Sequence, residues 1–232
     1  MSSKKKESLV VTIDGPAGAG KSTVSKQLAE VLGGMLLDTG GMYRSVAYFA
    51  HEQGARTAKQ FEKIARSLKF EIEPKSRTLL VNGIDLGQKL RTQEVSALAS
   101  NVSQFKGVRT VLTAKQRKLG KDLGKKIPVV VEGRDIGTVV FPDVRFKFFV
   151  TAAANVRAAR RYHQLKKQGV KGITQKEILK QNKSRDRQDT HRKVAPLKCP
   201  KDAVVVDTSE MAISQVVQFM KNHIQGRNFP EG

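Results

Sequence analysis

Residues 9 to 31 restrict the chain to a narrow set of folds before any other part is read. The run Leu9-Val10-Val11-Thr12-Ile13 is apolar and β-branched, as a buried strand requires. Directly behind it, Gly15 to Ser22 satisfy the G-x-x-x-x-G-K-[ST] spacing in full, and KSTVSKQLAEVLG continues with helical periodicity. Glycines at 15, 18 and 20 let the backbone turn sharply and point its N–H groups inward, where a phosphate meets several donors at once. The positive end of the following helix, the Lys21 ammonium and a Ser22 hydroxyl able to ligate Mg²⁺ add to that cradle. The expected triphosphate contacts are therefore Gly15, Pro16, Ala17, Gly18, Ala19, Gly20, Lys21, Ser22 and Thr23. The bland alternative, a glycine-rich turn that binds nothing, has to produce all eight positions and both flanks by accident.

Further along, strand and helix patterns alternate. A short strand ends at Asp38, followed by a glycine turn and a helix bearing Tyr43 and Arg44; residues 58 to 68 also read as helical. The stretch KFEIEPKSRTLLVNGIDLG has the alternation and the Pro and Asn-Gly breaks of a small antiparallel sheet. Helices follow near 93 to 104 and 108 to 122, then the buried strands IPVVVEG and VRFKFFV, two charged helices, and the final pair DAVVVDTS and MAISQVVQFMKNHI. Strands alternating with helices after a phosphate loop predict an α/β P-loop fold with a parallel sheet and ligands beyond its carboxyl edge. At 232 residues, one domain with insertions is expected; residues 1 to 7 and 226 to 232 are expected to fray.

Charge is the unusual feature of the composition. The formal net charge is +22, and residues 156 to 201 hold fifteen Lys or Arg against three acids, while residues 104 to 126 hold eight against one. Such concentration suits a partner built of phosphates. Most lysines, among them Lys115, Lys118, Lys121, Lys125, Lys166, Lys167, Lys176 and Lys180, are expected to be solvated surface, whereas arginine forks match phosphate oxygens in pairs. No apolar run of about 18 residues is present, so no membrane span is expected. The basic start MSSKKKES leads into a run too short for a signal peptide, and the single Cys199 fits a reducing cytoplasm. Histidines 51, 163, 191 and 223 lack metal-ligand spacing.

Five segments, TIDGPAGAGKST, LLDTGGMYRSVA, RTQEVSALAS, EGRDIGTVVFPD and RDRQDTHRKVAPL, occur in the order and at the spacing of bacterial cytidylate kinases, which the chain thus resembles. The resemblance covers about residues 9 to 225. It implies a five-stranded parallel sheet flanked by helices, with a mobile lid and a small β-rich insertion on the monophosphate-binding part. It also implies transfer of the γ-phosphate of ATP to CMP or dCMP with Mg²⁺, in a cytoplasmic monomer with no dedicated nucleic-acid partner. On this resemblance the core is about 9–38, 107–151 and 202–225, the monophosphate-binding region about 39–106 with its insertion at about 70–95, and the lid about 152–195.

The same resemblance implies that Thr39, Tyr43 and Arg44 lie near the phosphate and sugar of the monophosphate. Ser100, Arg109 and Asp135 match cytosine contacts, Arg134, Arg185 and Arg192 match phosphate contacts, and Asp189 matches a ribose contact. Arg157, Arg160 and Arg161 fall where the family places arginines around the ATP phosphates, and spacing leaves open which of them points inward. The residue types suit the chemistry: a carboxylate accepts from the exocyclic amine of cytosine, and a guanidinium donates to its carbonyl and N3. Taken singly, Ser100 reads as a helix-face serine, Asp135 as a loop cap and Tyr43 as packing, and only the joint match lifts them. Two departures stand out. Gln188, Thr190 and His191 occupy a stretch where the family often carries a further arginine, which Arg187 or Lys193 would replace, and Glu132 stands where some members have Asp, as an expected partner of the Mg²⁺ waters. The rival class is a nucleic-acid-binding protein that uses the loop for regulation; the absence of Trp, three Tyr and no identifiable stacking motif speak against it. A P-loop kinase for another small acceptor, such as UMP, is the alternative within enzymes.

Overall fold

The computed structural model describes residues 9–73, 75–167 and 169–226. Five parallel strands form the main sheet: β1 (Val10–Asp14), β2 (Met35–Asp38), β6 (Val129–Glu132), β7 (Phe146–Thr151) and β8 (Val204–Asp207), in the order β2-β6-β1-β7-β8. β1 and β6 are buried along their whole length, which explains their unbroken apolar sequences. Their side chains alternate between the two faces. Val10, Val129, Val131 and Leu37 enter one core, against α2 (Thr39–Glu52), α3 (Ala58–Ser67) and α5 (Lys106–Gly124). Val11, Ile13, Val130, Phe148 and Val150 enter the other, against α1 (Lys21–Val31) and α8 (Ile213–Ile224).

The expected small antiparallel sheet is present as β3 (Phe70–Ile72), β4 (Leu79–Val81) and β5 (Ile84–Asp85), followed by a 3₁₀ turn at Gly87–Arg91 and α4 (Gln93–Val102). α6 (Ala154–Lys167) and α7 (Gln175–His191) pair with each other around a small core of their own, Ala158, Leu165 and Ile178 with Tyr162 and Ile173. α7 starts with a capping box: Thr174 Oγ1 accepts from Glu177 N, and Glu177 returns a carboxylate to Thr174 N.

Two local features differ from expectation, and a third had none. The glycine turn after Asp38 is instead the first turn of α2, which starts at Thr39. The Asp38 carboxylate caps it by accepting from Gly41 N at 2.9 Å. Residues 136 to 140, for which the sequence carried no prediction, make a single π-type turn. Lys115, expected as solvated surface, is half-buried: its ammonium donates to Arg66 O and Leu68 O and lies over the Phe70 ring. The other seven named lysines are exposed. Apart from Gly226, the residues expected to fray lie outside the described ones. Among the described residues no helix is long and apolar enough to cross a membrane.

The sheet order puts the carboxyl ends of all five strands along one edge, with the central β1 feeding the phosphate loop. Phe148 is a main packing element beneath that edge, 1 % exposed between β1 and α8. Phe148→Ala should lower the unfolding free energy by about 3–5 kcal/mol with an unchanged urea m-value, read from equilibrium denaturation.

Candidate active site

On the donor side, Gly15 has φ +145°, and a Cβ there would lie 1.9 Å from Val150 O, so only glycine fits against β7. Gly20 (φ 85°) precedes α1 with no side chain capping the helix, which leaves its first-turn N–H groups to a ligand. The loop is held from outside. Arg157, buried, donates from Nη1 to Ala17 O at 3.0 Å and to Asp186 Oδ2 at 2.7 Å, and from Nε to Ala152 O at 2.9 Å. Thr208 Oγ1 reaches Ala19 O at 3.2 Å and accepts from Arg160 Nη1 at 2.9 Å.

Three ionisable groups crowd the base of this loop. Lys21, only 4 % exposed, donates to Pro16 O at 2.7 Å. Desolvation, reinforced by Arg134 and opposed by Glu132, pushes its ammonium down to about 7. Glu132, at the end of β6, accepts from Ser22 Oγ at 2.9 Å and lies in register with Asp38. Burial and then Asp38 push Glu132 up. Asp14, at the end of β1, is pushed up to about 6 by desolvation.

Over this base lie cations that lack enough anions. Arg185 finds no hydrogen-bond partner among the described residues. It is exposed by area yet ringed by protein in the cleft, and desolvation followed by repulsion from Arg134 pushes it down to about 10, with Arg44 and Arg161 adding to that repulsion. Lys21 feels both Arg134 and Arg185. A ring of Lys21, Arg44, Arg134, Arg161 and Arg185 is thus assembled from five separate segments, and phosphate groups are the chemical complement of such a ring.

Beside the ring is a second, drier cluster. Asp135, 4 % exposed, accepts from Arg109 Nη2 at 2.5 Å and from Arg192 Nη2 at 3.2 Å. The Arg109 guanidinium lies 5.4 Å from the centre of the Tyr43 ring. Burial pushes the Tyr43 hydroxyl up to about 12, and Tyr43 Oη and Arg109 Nε are buried without a hydrogen-bond partner among the described residues. Asp189 joins the two clusters, accepting from Arg134 Nε at 3.0 Å and lying 3.6 Å from Arg192 Nη1. Arg192 is steadied by the carbonyl of Ala195, which adopts the left-handed φ of 49° and accepts from Arg192 Nε at 2.6 Å. Thr39 Oγ1 donates to Glu132 O at 2.7 Å.

Most residues expected at the site therefore converge. Arg157 and Arg160 are spent on loop carbonyls and on Thr208, leaving Arg161 as the member of its trio whose charge bears on Arg185. Ser100 Oγ donates across to Gln188 Oε1 at 3.0 Å, whereas Arg187 and Lys193 stand exposed. Sequence reading missed Asp14, Asp186 and Thr208, whose roles depend on contacts between distant segments, and Ala195, whose role depends on a left-handed backbone. Asp14 alone carried a signal, as a charged residue closing an otherwise apolar strand.

Fold and site together define a P-loop phosphotransferase with a buried carboxylate–guanidinium cluster beside its phosphate loop. The family profile described as "Cytidylate kinase" matches residues 11–226. A cytidylate kinase of Thermosipho melanesiensis is 41% identical over 208 residues, 90% of this chain and 93% of that one. One of Citrifermentans bemidjiense is 41% identical over 231 residues, covering 98% and 97%. The chain belongs to the cytidylate kinase family. A solved structure of an uncharacterized protein from Eubacterium ventriosum shares the fold with a TM-score of 0.55 at 12% identity, covering 95% of this chain and 100% of that one.

Because Lys21 sits near 7 without ligand, phosphate binding should restore its charge and draw in a proton. Titration calorimetry of the chain with ATP at pH 8, in buffers of different ionisation enthalpy, should show uptake of up to about one proton. Lys21→Met should abolish that uptake.

Proposed function

We propose that this chain transfers the γ-phosphate of ATP to CMP or dCMP, giving ADP and the cytidine diphosphate, as a cytoplasmic monomer. The observation that carries the choice of acceptor is Asp135, buried and gripped by Arg109 and Arg192. A carboxylate beside a guanidinium offers an acceptor and a donor on one edge, the complement of cytosine's amine and its N3 and carbonyl; uracil shares the O2 carbonyl but reverses the other two, with an acceptor at O4 and a donor at N3. Ser100 and Tyr43 line the same pocket, and Asp189 takes the ribose. Residues 39–106 serve as the monophosphate-binding part, with the small sheet at 70–95 as its insertion. Residues 152–195 serve as the lid, a role supported by the separate core of α6 and α7.

Phosphoryl transfer asks the protein for alignment and charge neutralisation rather than covalent chemistry. The loop from Gly15 to Thr23 holds the triphosphate through its N–H groups. Lys21 turns from Pro16 O to the outer phosphates. Arg44, Arg134 and Arg192 orient the monophosphate, and Arg161 and Arg185 stabilise the charge spread over the group in flight. No general base is needed, since the attacking phosphate oxygen is already ionised near neutral pH. Water competes as an acceptor, and closure of α6 and α7 over the cleft excludes it. Ser22 Oγ and Glu132, whose Oε2 is buried without a hydrogen-bond partner among the described residues, form an all-oxygen pair that fits Mg²⁺. When bound, the ion would neutralise charge on the β- and γ-phosphates.

The deciding experiment is ADP release with ATP and Mg²⁺, offering CMP, dCMP, UMP, AMP and GMP in turn beside a control without acceptor. CMP and dCMP should accelerate release far above the other three, and rates at the control level for every monophosphate would sink the proposal. In the same assay Arg185→Ala should reduce kcat by a factor of about 10²–10³ with an unchanged thermal melt. Wild-type turnover in that variant would remove Arg185 from the site.

A further inference from the structure

Asp14 contacts neither substrate in the reaction proposed above, yet it is a carboxylate 1 % exposed at the junction of the two binding loops. Its Oδ1 accepts from Ile136 N at 2.9 Å and its Oδ2 from Gly137 N at 2.7 Å. Those amides belong to the two residues immediately after Asp135, and they open the π-type turn. The grip is close. A Cβ on Gly137 would lie 3.0 Å from Pro200 Cγ, 3.1 Å from Thr12 Oγ1 and 3.4 Å from Asp14 Oδ2. A buried carboxylate is costly to keep, and a neutral side chain could anchor an ordinary turn. The titratable groups facing Asp14 are Asp135, which disfavours its charge, Lys21, which favours it, and the Cys199 thiol beside it. Since Asp14 is covalently joined to Gly15, one carboxylate links the start of the donor loop to the backbone that carries Asp135.

We propose that Asp14 is a positioning residue for the acceptor base, gripping the amides of Ile136 and Gly137 so that the Asp135 carboxylate is aimed at the amine of cytosine. The inference rests on the cytidylate reading. Loss of the grip lets Asp135 swing, so base discrimination suffers first, while the donor loop, held independently by Arg157 and Thr208, keeps its shape.

The test is the ratio of kcat/KM for CMP to that for UMP. Asp14→Asn keeps one acceptor oxygen and sets an amide NH₂ against the other N–H. It should lower the ratio by about tenfold, the worth of one charge-assisted hydrogen bond, and raise KM for CMP while KM for ATP stays within about twofold. Gly137→Ala should reproduce the loss with the carboxylate intact. A measurement on the unaltered protein stands beside both variants. Its ratio should fall as pH drops through about 6, because a protonated Asp14 offers one acceptor fewer; titration of the substrates' own phosphates cancels in the ratio. That limb should be missing from Asp14→Asn. A flat ratio in the unaltered protein across this range overturns the proposal, as does an unchanged ratio in folded Asp14→Asn. Equal rises in KM for ATP and CMP also overturn it, by assigning Asp14 to the donor loop. A wild type that does not prefer CMP to UMP at pH 8 fails the cytidylate reading itself, before any variant is made.

Discussion

The parallel pairing of β1 with β6 is the constraint on which the rest of the molecule depends. Val10 to Ile13 run beside Val129 to Glu132 in strict register, and the two strands end together. The phosphate loop continues directly from β1, and Gly133-Arg134-Asp135 continue directly from β6. The pairing therefore brings residues more than a hundred positions apart in sequence to one point, where Glu132 meets Ser22 and Asp14 meets the amides after Asp135. A slip of one residue would turn every side chain of β1 to the opposite face and separate these groups. On β6's outer side β2 ends at Asp38 in register with Glu132, adding the capped start of α2 to the same edge.

Assembling so many charges at one edge costs stability. Asp14 is most at home protonated, so its favourable contribution is present at pH below its ordinary 3.8 and is lost as pH rises through about 6. Lys21 is displaced in the other sense. Between about 7 and its ordinary 10.5 the unfolded chain holds a proton that the folded chain does not, so the burden of the buried ammonium is greatest below 7 and is relieved as pH rises. At neutral pH this cluster thus works against the fold, with Arg134, Arg44 and Arg161 repelling Arg185 above it. Phosphates relieve the strain on Lys21 and on the arginines at once. The buried valines of the sheet and the two cores on its faces carry the cost in the meantime.

Much of the main fold was legible because its signals are local. Unbroken runs such as VVTID and VVVE are what strands buried on both faces need, and the breaks around Pro74 and Asn82-Gly83 outline the small sheet. Departures arose where a specific partner, near or far along the chain, overrode a local preference. Gly40 and Gly41 read as a turn, yet Asp38 caps them into a helix. Lys115 read as surface, yet two carbonyls at the end of α3 and the Phe70 ring draw it in. Spacing left open which of Arg157, Arg160 and Arg161 faces the phosphates, and the buried fork of Arg157 braces Ala17 and Asp186.

By itself the sequence determined the phosphate loop, the parallel α/β plan and the set of arginines and carboxylates that characterise the family. These are carried by short-range spacing and by patterns of burial that each segment expresses alone. Tertiary structure alone decided which arginines are spent on protein carbonyls and which remain for a ligand, because a guanidinium's role depends on acceptors supplied by other segments. It also decided that Asp14 grips the turn after Asp135 and that Ser100 reaches Gln188, contacts spanning 122 and 88 residues of chain. The physical reason is one of range: periodicity and propensity act within a few residues, whereas the pairing of buried charges is settled only when the sheet brings its strand ends together.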